Sequence, residues 1–172
     1  MKKHSLQYWA ILIDKLRPLG YAVAGGLAVG VYSPERATQD LDLVMVARAR
    51  MEERLHQLGY TKVGKLSIGG STWRLPDGRE IDVIDISDRP WAEKALQEAL
   101  TTTFHGFPIL PLPYLVLMKL EASRIQDIAD IGRMLKYADS ELRQHVRSVV
   151  TSYKPQDLED YDQIVLLEDL ET

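Results

Sequence analysis

Apolar and polar positions along the chain change repeatedly between a helical and a strand period. Apolar residues at helical spacing predict a first helix over residues 5–16, which Pro18 and Gly20 end. Short apolar runs predict strands at Tyr21–Ala24 and 39–46, separated by a short helix that begins at Gly25-Gly26 and stops at Ser33-Pro34. The same periods predict strands at 60–66, 71–75 and 80–86 and helices at 47–58, 89–100 and 114–152.

This order of elements predicts an α+β (or α/β) fold, in which a mixed β-sheet is flanked by helices and followed by a C-terminal helical region. We divide the chain into an α/β core over residues 1–110, helices over 111–153 that pack on the core, and an acidic tail over 154–172. The segment 107–113, FPILPLP, is expected to be an extended edge or a linker, because its prolines cannot donate backbone hydrogen bonds.

Composition narrows the class of protein. The 172 residues, 45% of them apolar, are enough for the buried core of one ordinary domain. No apolar run approaches the roughly 20 residues that span a bilayer, and the charged start of the chain lacks the cleavage site of a signal peptide. The chain has no cysteine, which excludes disulfides, thiolate metal sites and cysteine catalysis. We therefore expect a cytoplasmic protein without membrane contact.

Charge is distributed unevenly along the chain. The net charge is −4, but residues 154–172 alone carry −6, so the body of the chain is at about +2 and does not repel a polyanion. The acidic tail is expected to be a solvated or loosely docked end. The alternative is a segment that binds a partner or masks the protein's own surface.

Two aspartates lie one residue apart in the predicted strand 39–46. Side chains alternate faces along a strand, so Asp40 and Asp42 point the same way, with Cα atoms about 6.5–7 Å apart. Two like charges at this distance raise each other's energy unless a positive charge lies between them. A hard divalent cation such as Mg²⁺ fits this need, because it takes one or two carboxylates together with substrate phosphates. The alternative is a solvated face of an edge strand.

Two further features favour the metal interpretation. Gly25-Gly26 leaves a strand and opens a helix, so the backbone can approach a phosphate and present free N–H groups to it. The predicted strand 80–86 adds Asp82 and Asp85, which point to opposite faces, so at most one of them joins the site. We choose Asp82 because apolar residues flank it as they flank Asp42, and Asp85 remains the alternative.

These residues together resemble a known family. A Gly-Gly pair, thirteen residues, an Asp-Leu-Asp-Leu sequence and one more Asp on a later strand resemble the nucleotidyltransferase fold of the DNA polymerase β type. The lead-in Arg36-Ala-Thr38-Gln-Asp40 is similar to the Arg-x-Thr-x-Asp sequence of its small bacterial branch, which includes the AbiEii-like and MenA-like toxins of type IV toxin–antitoxin systems. The resemblance implies transfer of a nucleoside monophosphate from an NTP to an acceptor hydroxyl, with release of pyrophosphate.

The resemblance also implies residue roles. Asp40 and Asp42 would ligate Mg²⁺ or Mn²⁺, and Asp82 would ligate a second ion and help to deprotonate the acceptor. Gly25 and Gly26 would receive the triphosphate of the NTP. Arg36 and Thr38 would contribute to nucleotide binding.

A second stretch, LPYLVLMKLEASRIQDIADIGRML, matches a Leu-x-x-Met-Lys-Leu-x-Ala-x-Arg-x-x-Asp-x-x-Asp pattern of such proteins. Lys119 and Asp130 are eleven residues apart, so a continuous helix would put both on one face. Residue chemistry alone leaves open the alternative that these charged residues form salt bridges on the solvent-exposed face of a helix. The resemblance implies that Lys119 contacts the nucleotide phosphates and that Asp127 or Asp130 orders the site; Arg124 matches the pattern as well.

The acceptor and the partners are left open. A tRNA 3′ end or other RNA, a protein hydroxyl and a small molecule such as an aminoglycoside all remain candidates, and a cognate antitoxin protein is a candidate partner. The alternative to an enzyme is a non-catalytic module of the same fold that binds a nucleotide or acts as an antitoxin or regulator.

Overall fold

The structure is a computed structural model that describes residues 4–171, apart from the side chains of His4 and Ser5. The expected start of the core segment, residues 1–3, and the last residue of the tail, 172, lie outside the described residues. Within 4–171, no helix is long and apolar enough to cross a membrane.

The centre of the fold is a mixed five-stranded sheet in the order β1-β2-β5-β4-β3. Strands β2 and β5 run parallel, and the other neighbouring pairs run antiparallel. The predicted mixed sheet flanked by helices is therefore confirmed. The strands are β1 (Tyr21–Ala24), β2 (Leu41–Met45), β3 (Thr61–Lys65), β4 (Gly70–Arg74) and β5 (Glu80–Asp85).

Helices cover the sheet and extend beyond it. The N-terminal half contains α1 (His4–Tyr8), α2 (Ala10–Leu16), α3 (Gly25–Tyr32), α4 (Arg48–Gln57) and α5 (Ala92–Ala99). The C-terminal half contains α6 (Leu112–Ala122), α7 (Ile125–Tyr137), α8 (Ser140–Tyr153) and α9 (Leu158–Leu170). A small hairpin, β6 (Thr103–Phe104) and β7 (Phe107–Pro108), and two short 3₁₀ turns, Arg17–Leu19 and Pro155–Asp157, complete the described chain.

The predicted first helix, 5–16, is broken at Trp9. This residue is buried, and its indole N–H donates a hydrogen bond to the carbonyl of Gln39 at 2.9 Å. The guanidinium of Arg79 lies 4.6 Å from the Trp9 ring centroid and so stacks on it. These tertiary contacts fix the side chain at the break and join the first two helices to the sheet.

The segment 107–113 is only partly the extended piece that was expected. Phe107–Pro108 pairs with β6, and Ile109 bridges Val23 of β1 in parallel. Helix α6 begins at Leu112, two residues before the predicted start, because Pro113 lies in its first turn, where proline needs no N–H partner.

The stretch 114–152 is helical, as predicted, and it is divided into three helices. Ser123 adopts a left-handed conformation with φ +51° and ends α6, and Arg124 starts α7. Asp139 caps α8 by accepting a hydrogen bond from the N–H of Leu142 at 2.7 Å. Lys119 and Asp130 therefore lie on two different helices and face each other across the α6–α7 turn, not along one helix.

The acidic tail is not the solvated or loosely docked end that its composition predicted. It forms helix α9, which packs on α7 and α8. Tyr161 and Ile164 are buried, and the Tyr161 hydroxyl donates a hydrogen bond to the carbonyl of Arg143 at 2.8 Å. Apolar residues three apart on one helix face anchor the segment.

The docking of α9 can be tested by stability. Tyr161→Ala should lower the free energy of unfolding by about 3–5 kcal/mol, because it removes a buried ring and its hydrogen bond. The matched control is Leu166→Ala on the outer face of the same helix, where the side chain is 60% exposed; we expect a change within about 0.5 kcal/mol. Urea unfolding followed by circular dichroism measures both. Equal, small losses in the two variants would mean that the tail is loosely docked after all.

Candidate active site

Two of the predicted carboxylates are direct neighbours in the sheet. The parallel register of β2 and β5 places Asp42 opposite Asp82, and residues opposite each other project from the same face. Asp40 lies two residues before Asp42, just outside β2, and is exposed. The hydroxyl of Thr72 on β4, opposite Asp82 on its other side, donates a hydrogen bond to Asp82 Oδ1 at 2.6 Å.

Asp85 occupies a different position. It lies opposite Met45 at the end of β5, and its carboxylate accepts a hydrogen bond from the N–H of Ser87 at 2.9 Å. Asp85 therefore closes the turn after the strand. The side chains of Asp82 and Asp85 lie on opposite faces, as the odd spacing predicted.

The two glycines approach the carboxylates closely. Ala24, the last residue of β1, lies opposite Asp42, and the chain then turns through Gly25 with φ +58°. A Cβ added to Gly25 would overlap the Asp42 carboxylate, and one added to Gly26 would lie 2.5 Å from Cγ2 of Thr38. Only glycine permits this approach, which brings the N-terminus of α3 against the side chain of Asp42.

Asp42 is electrostatically strained in the free protein. The pKa of Asp42 is raised from 3.8 to about 6, mainly because the side chain is buried and in addition because of the negative charges of Asp82 and Asp40. The charge of Lys119 and the N–H of Gly26 act in the opposite direction but do not cancel the rise. The site therefore lacks positive charge next to Asp42.

A cavity of about 630 Å³ opens above these residues. It is lined by every predicted site residue except Asp130: Gly25, Gly26, Arg36, Thr38, Asp40, Asp42, Asp82, Lys119 and Asp127. A second wall is largely apolar and was not predicted: Leu66, Ile68, Ile84, Leu115 and Met118. This volume is within the range of small-molecule sites in proteins.

Lys119 lines the cavity and is held by two carboxylates. Its Nζ donates hydrogen bonds to Asp127 Oδ1 and to Asp130 Oδ2, both at 2.9 Å, and its side chain is 11% exposed. Asp130 is fully buried, whereas Asp127 lines the cavity. Although burial opposes it, hydrogen bonds from Arg124 and Lys119 hold the pKa of Asp127 below its usual value.

Arg36 and Arg124 bring positive charge to the rim of the cavity. A Cβ on Gly26 would lie 3.5 Å from a terminal nitrogen of Arg36, so the guanidinium lies beside the N-terminus of α3. The side chain of Arg124 is 75% exposed and pairs with Asp127 at 2.7 Å. Arg89 also borders the cavity. Its guanidinium donates one hydrogen bond to Glu121 at 2.8 Å and another to the carbonyl of Ile68 at 3.1 Å.

The donor set suits Mg²⁺ with substrate oxygens as further ligands. Within residues 4–171, no three His, Cys, Asp or Glu side chains converge closely enough to form a metal cage by themselves. Asp42 and Asp82 nevertheless offer two adjacent hard oxygen donors, and burial together with the neighbouring carboxylates raises the pKa of Asp42. Mg²⁺ typically takes one or two carboxylates and completes its shell with water and phosphate. The carboxylates therefore fit such an ion.

Sequence reasoning missed Thr72, Arg89 and Glu121 at this site. The turn Pro76-Asp77-Gly78 could have identified Thr72, because a hairpin closed there pairs Arg74 with Glu80 and therefore Thr72 with Asp82. No local signal marked Arg89 or Glu121, which are 32 residues apart in the sequence and meet in an ion pair at 2.8 Å.

The comparisons with known proteins identify the fold. No protein-family model matches the sequence, and neither does any curated protein. A solution structure of the antibiotic-resistance factor ANT(2'')-Ia matches with a TM-score of 0.58 and 17% identity over 95% of this chain and 99% of that chain. A crystal structure of ANT(2'')-Ia in complex with adenylyl-2''-tobramycin matches with a TM-score of 0.55 and 15% identity over 91% and 99%. ANT(2'')-Ia is an aminoglycoside nucleotidyltransferase, and the chain shares its fold from the mixed sheet to the C-terminal helices.

Proposed function

We propose that the chain is a metal-dependent nucleotidyltransferase that moves a nucleoside monophosphate from an NTP to an acceptor hydroxyl. One observation carries this proposal: Asp42 and Asp82 are paired in register beside the Gly25-Gly26 turn, on the wall of a 630 Å³ cavity. An acid pair alone would favour any divalent cation. An acid pair next to a glycine-opened helix N-terminus favours a cation that is bound together with a phosphate.

The triphosphate would lie between the acids and the N-terminus of α3. The N–H groups at Gly25 and Gly26 favour negative charge there, and the guanidinium of Arg36 is adjacent. Thr38 closes this side of the cavity. Lys119 would supply positive charge near the phosphates from its fixed position against Asp127 and Asp130.

Asp40, Asp42 and Asp82 would hold Mg²⁺ or Mn²⁺. When bound, the metal polarises the phosphoryl oxygens and neutralises charge that develops on the leaving group. Asp42 must be ionised for this purpose, and its raised pKa shows how strongly the free site favours a proton or a cation. Thr72 would orient Asp82 through its 2.6 Å hydrogen bond.

The reaction itself is a substitution at the α-phosphorus. The acceptor oxygen forms a bond to the α-phosphorus while the bond from that phosphorus to the bridging oxygen of the β-phosphate breaks. Pyrophosphate leaves with the bonding electrons, and the hydroxyl proton passes to a carboxylate, for which we propose Asp82. Two charged groups at the rim, Arg36 and Arg124, would hold the leaving pyrophosphate.

A small-molecule hydroxyl is the acceptor that we place first. ANT(2'')-Ia was crystallised with adenylyl-2''-tobramycin, a nucleotide-modified aminoglycoside. A cavity of 630 Å³ with an acidic floor and an acid, Glu121, on its rim would accommodate a polar or cationic acceptor. An RNA 3′ end, a protein hydroxyl and the AbiEii-like or MenA-like toxin role, with its antitoxin partner, are separate outcomes of the test below.

The first prediction concerns label transfer. We expect the full chain with Mg²⁺ or Mn²⁺ and one of the four α-³²P-labelled NTPs to transfer label to an acceptor from a panel of aminoglycosides, total tRNA and protein. Asp42→Asn should reduce transfer at least about 100-fold, because it removes a charged oxygen donor for the metal.

The matched control is Asp85→Asn, which changes the same residue type on the opposite face of β5 and should leave transfer within a few-fold of the unchanged chain. Label on an aminoglycoside would support the small-molecule acceptor, and label on tRNA would favour the toxin-like branch. Metal-dependent NTP binding without transfer to any acceptor would favour the non-catalytic module. Transfer that survives in Asp42→Asn would contradict the proposed site.

A second prediction concerns the pH dependence of stability. The pKa of Asp42 is about 6 in the folded chain against 3.8 for the free side chain, so between these values the folded state holds a proton that the unfolded state has lost. Ionisation of Asp42 therefore lowers stability as pH rises through this window. In EDTA, Asp42→Asn should match the unchanged chain near pH 4 and be more stable by about 1–3 kcal/mol at pH 7.

Urea unfolding at pH 4, 5, 6 and 7 measures this difference. Addition of Mg²⁺ at pH 7 should stabilise the unchanged chain more than the Asp42→Asn variant, because the ion supplies the missing positive charge. Parallel stability profiles of the two proteins from pH 4 to pH 7 would show that Asp42 is not strained.

A further inference from the structure

The loop over residues 33–40, which we call the lead-in loop, carries three proposed site residues, Arg36, Thr38 and Asp40. It has no regular secondary structure. Two of its own hydrogen bonds stabilise it: the N–H of Arg36 donates to the carbonyl of Ser33 at 3.1 Å, and the N–H of Asp40 donates to Oγ1 of Thr38 at 3.2 Å. Such a loop needs external contacts to keep its side chains in one arrangement.

The Trp9 indole holds the lead-in loop at Gln39, and two contacts from helix α7 hold it at Glu35 and Arg36. Arg36 Nε lies 3.5 Å from Asp130 Oδ1, and the hydroxyl of Tyr137 donates a hydrogen bond to Oε1 of Glu35 at 2.8 Å. Asp130 and Tyr137 are seven residues apart, which is about two helical turns, so both lie on one face of α7. Lys136 adds a weaker contact to Glu35 at 4.0 Å.

Asp130 is a rigid anchor for this purpose. Its side chain is fully buried, and its two oxygens also accept hydrogen bonds from Lys119 at 2.9 Å, Gln126 at 2.9 Å and Arg133 at 3.3 Å. Asp130 does not line the cavity, so a nucleotide in the cavity would not contact it directly. The Nε of Arg36 is buried and makes no hydrogen bond, so the guanidinium is held by the charge of Asp130 and by a hydrogen bond from its Nη1 to the carbonyl of Ala37 at 3.3 Å.

We propose that Asp130 and Tyr137 are positioning residues that fix the lead-in loop, and with it Arg36 and Asp40, against helix α7. This inference rests on the proposed function, because it assumes that Arg36 and Asp40 contact the metal-bound nucleotide. It gives Asp130 a role that differs from nucleotide contact: it acts through Arg36. A nucleotide then binds to a loop that is already ordered, so the chain loses less conformational entropy on binding.

Hydrogen exchange of the lead-in loop tests the proposal in the free protein. The peptide over residues 34–40 contains the amides of Arg36 and Asp40, both of which are hydrogen-bonded. Tyr137→Phe removes only the hydroxyl that contacts Glu35, and we expect the exchange of this peptide to become about three- to tenfold faster. Asp130→Asn should have at least the same effect. Glu35→Ala should give little further increase in a Tyr137→Phe background, because both changes remove the hydrogen bond between Tyr137 and Glu35, and Glu35→Ala removes in addition only the 4.0 Å contact with Lys136.

Two controls separate positioning from general destabilisation. Tyr8→Phe removes a hydroxyl on α1, where the ring packs on Trp9 and Arg79. Arg133→Gln removes a different partner of Asp130 and leaves Lys119 and Gln126 in place. Neither control should change the exchange of residues 34–40. In the Tyr137→Phe variant, peptides from β5 should exchange as in the unchanged chain.

Nucleotide affinity supplies the functional readout. Calorimetry with Mg²⁺ and the NTP that the unchanged chain binds should give a Kd that is about three- to tenfold higher for Tyr137→Phe, with an unchanged Kd for Tyr8→Phe. Unchanged exchange of residues 34–40 in Tyr137→Phe would overturn the proposal, even if Asp130→Asn fails to fold. Faster exchange together with an unchanged Kd would overturn the link from loop order to binding. Faster exchange in a chain that binds no NTP would support the anchoring of the loop and reject the proposed function instead.

Discussion

The repulsion between two neighbouring carboxylates is the constraint on which the site depends. Parallel pairing of β2 and β5 places Asp42 directly opposite Asp82, and burial of Asp42 increases the cost of ionising it. Apolar side chains at these positions would make a more stable sheet. The surrounding elements instead bring N–H groups and cations toward the pair: the N-terminus of α3, Lys119 and, at the rim, Arg36 and Arg124. The proximity of the two acids is thus built into the strand register, and protonation or a bound cation is needed to relieve the repulsion without a change of fold.

The C-terminal helices are part of the same electrostatic arrangement. Lys119 of α6 is buried between Asp127 and Asp130 of α7, which requires a sharp turn between the helices. Ser123 makes this turn in the left-handed conformation, and Asp127 caps the new helix by accepting hydrogen bonds from the backbone N–H and the guanidinium of Arg124. A buried lysine with two carboxylates is costly to separate, because either partner alone would be an unpaired buried charge. The pairing therefore fixes the α6–α7 angle and, through Asp130, the distance from α7 to the lead-in loop.

The sequence predicts local features of this arrangement better than its long-range contacts. The apolar run predicts the strand that carries Asp42, and the glycine pair predicts the turn at Gly25-Gly26. Both signals depend on nearby residues only. The adjacency of Asp42 and Asp82 depends on strand order, which no local pattern encodes. The break at Ser123 has no glycine or proline to mark it, so the sequence predicted helical structure across this position without locating the turn. The tail was misjudged because its seven acids outweighed the signal of Tyr161 and Ile164, three residues apart and both buried.

The two walls of the cavity are under different structural constraints. The wall that holds the acids and glycines is fixed by strand register and by contacts that admit no Cβ, so substitutions there disturb the sheet itself. The opposite wall contains Leu66 and Ile68 from the hairpin of β3 and β4, and β3 is the exposed edge strand of the sheet. Arg89 joins the tip of this hairpin to α6, because its guanidinium donates hydrogen bonds to the carbonyl of Ile68 and to Glu121. Side chains on the hairpin can therefore change size and polarity without altering the acid pair. In the function that we propose, selection for a particular acceptor would act on this wall, whereas the wall proposed to bind phosphate would stay the same for any acceptor.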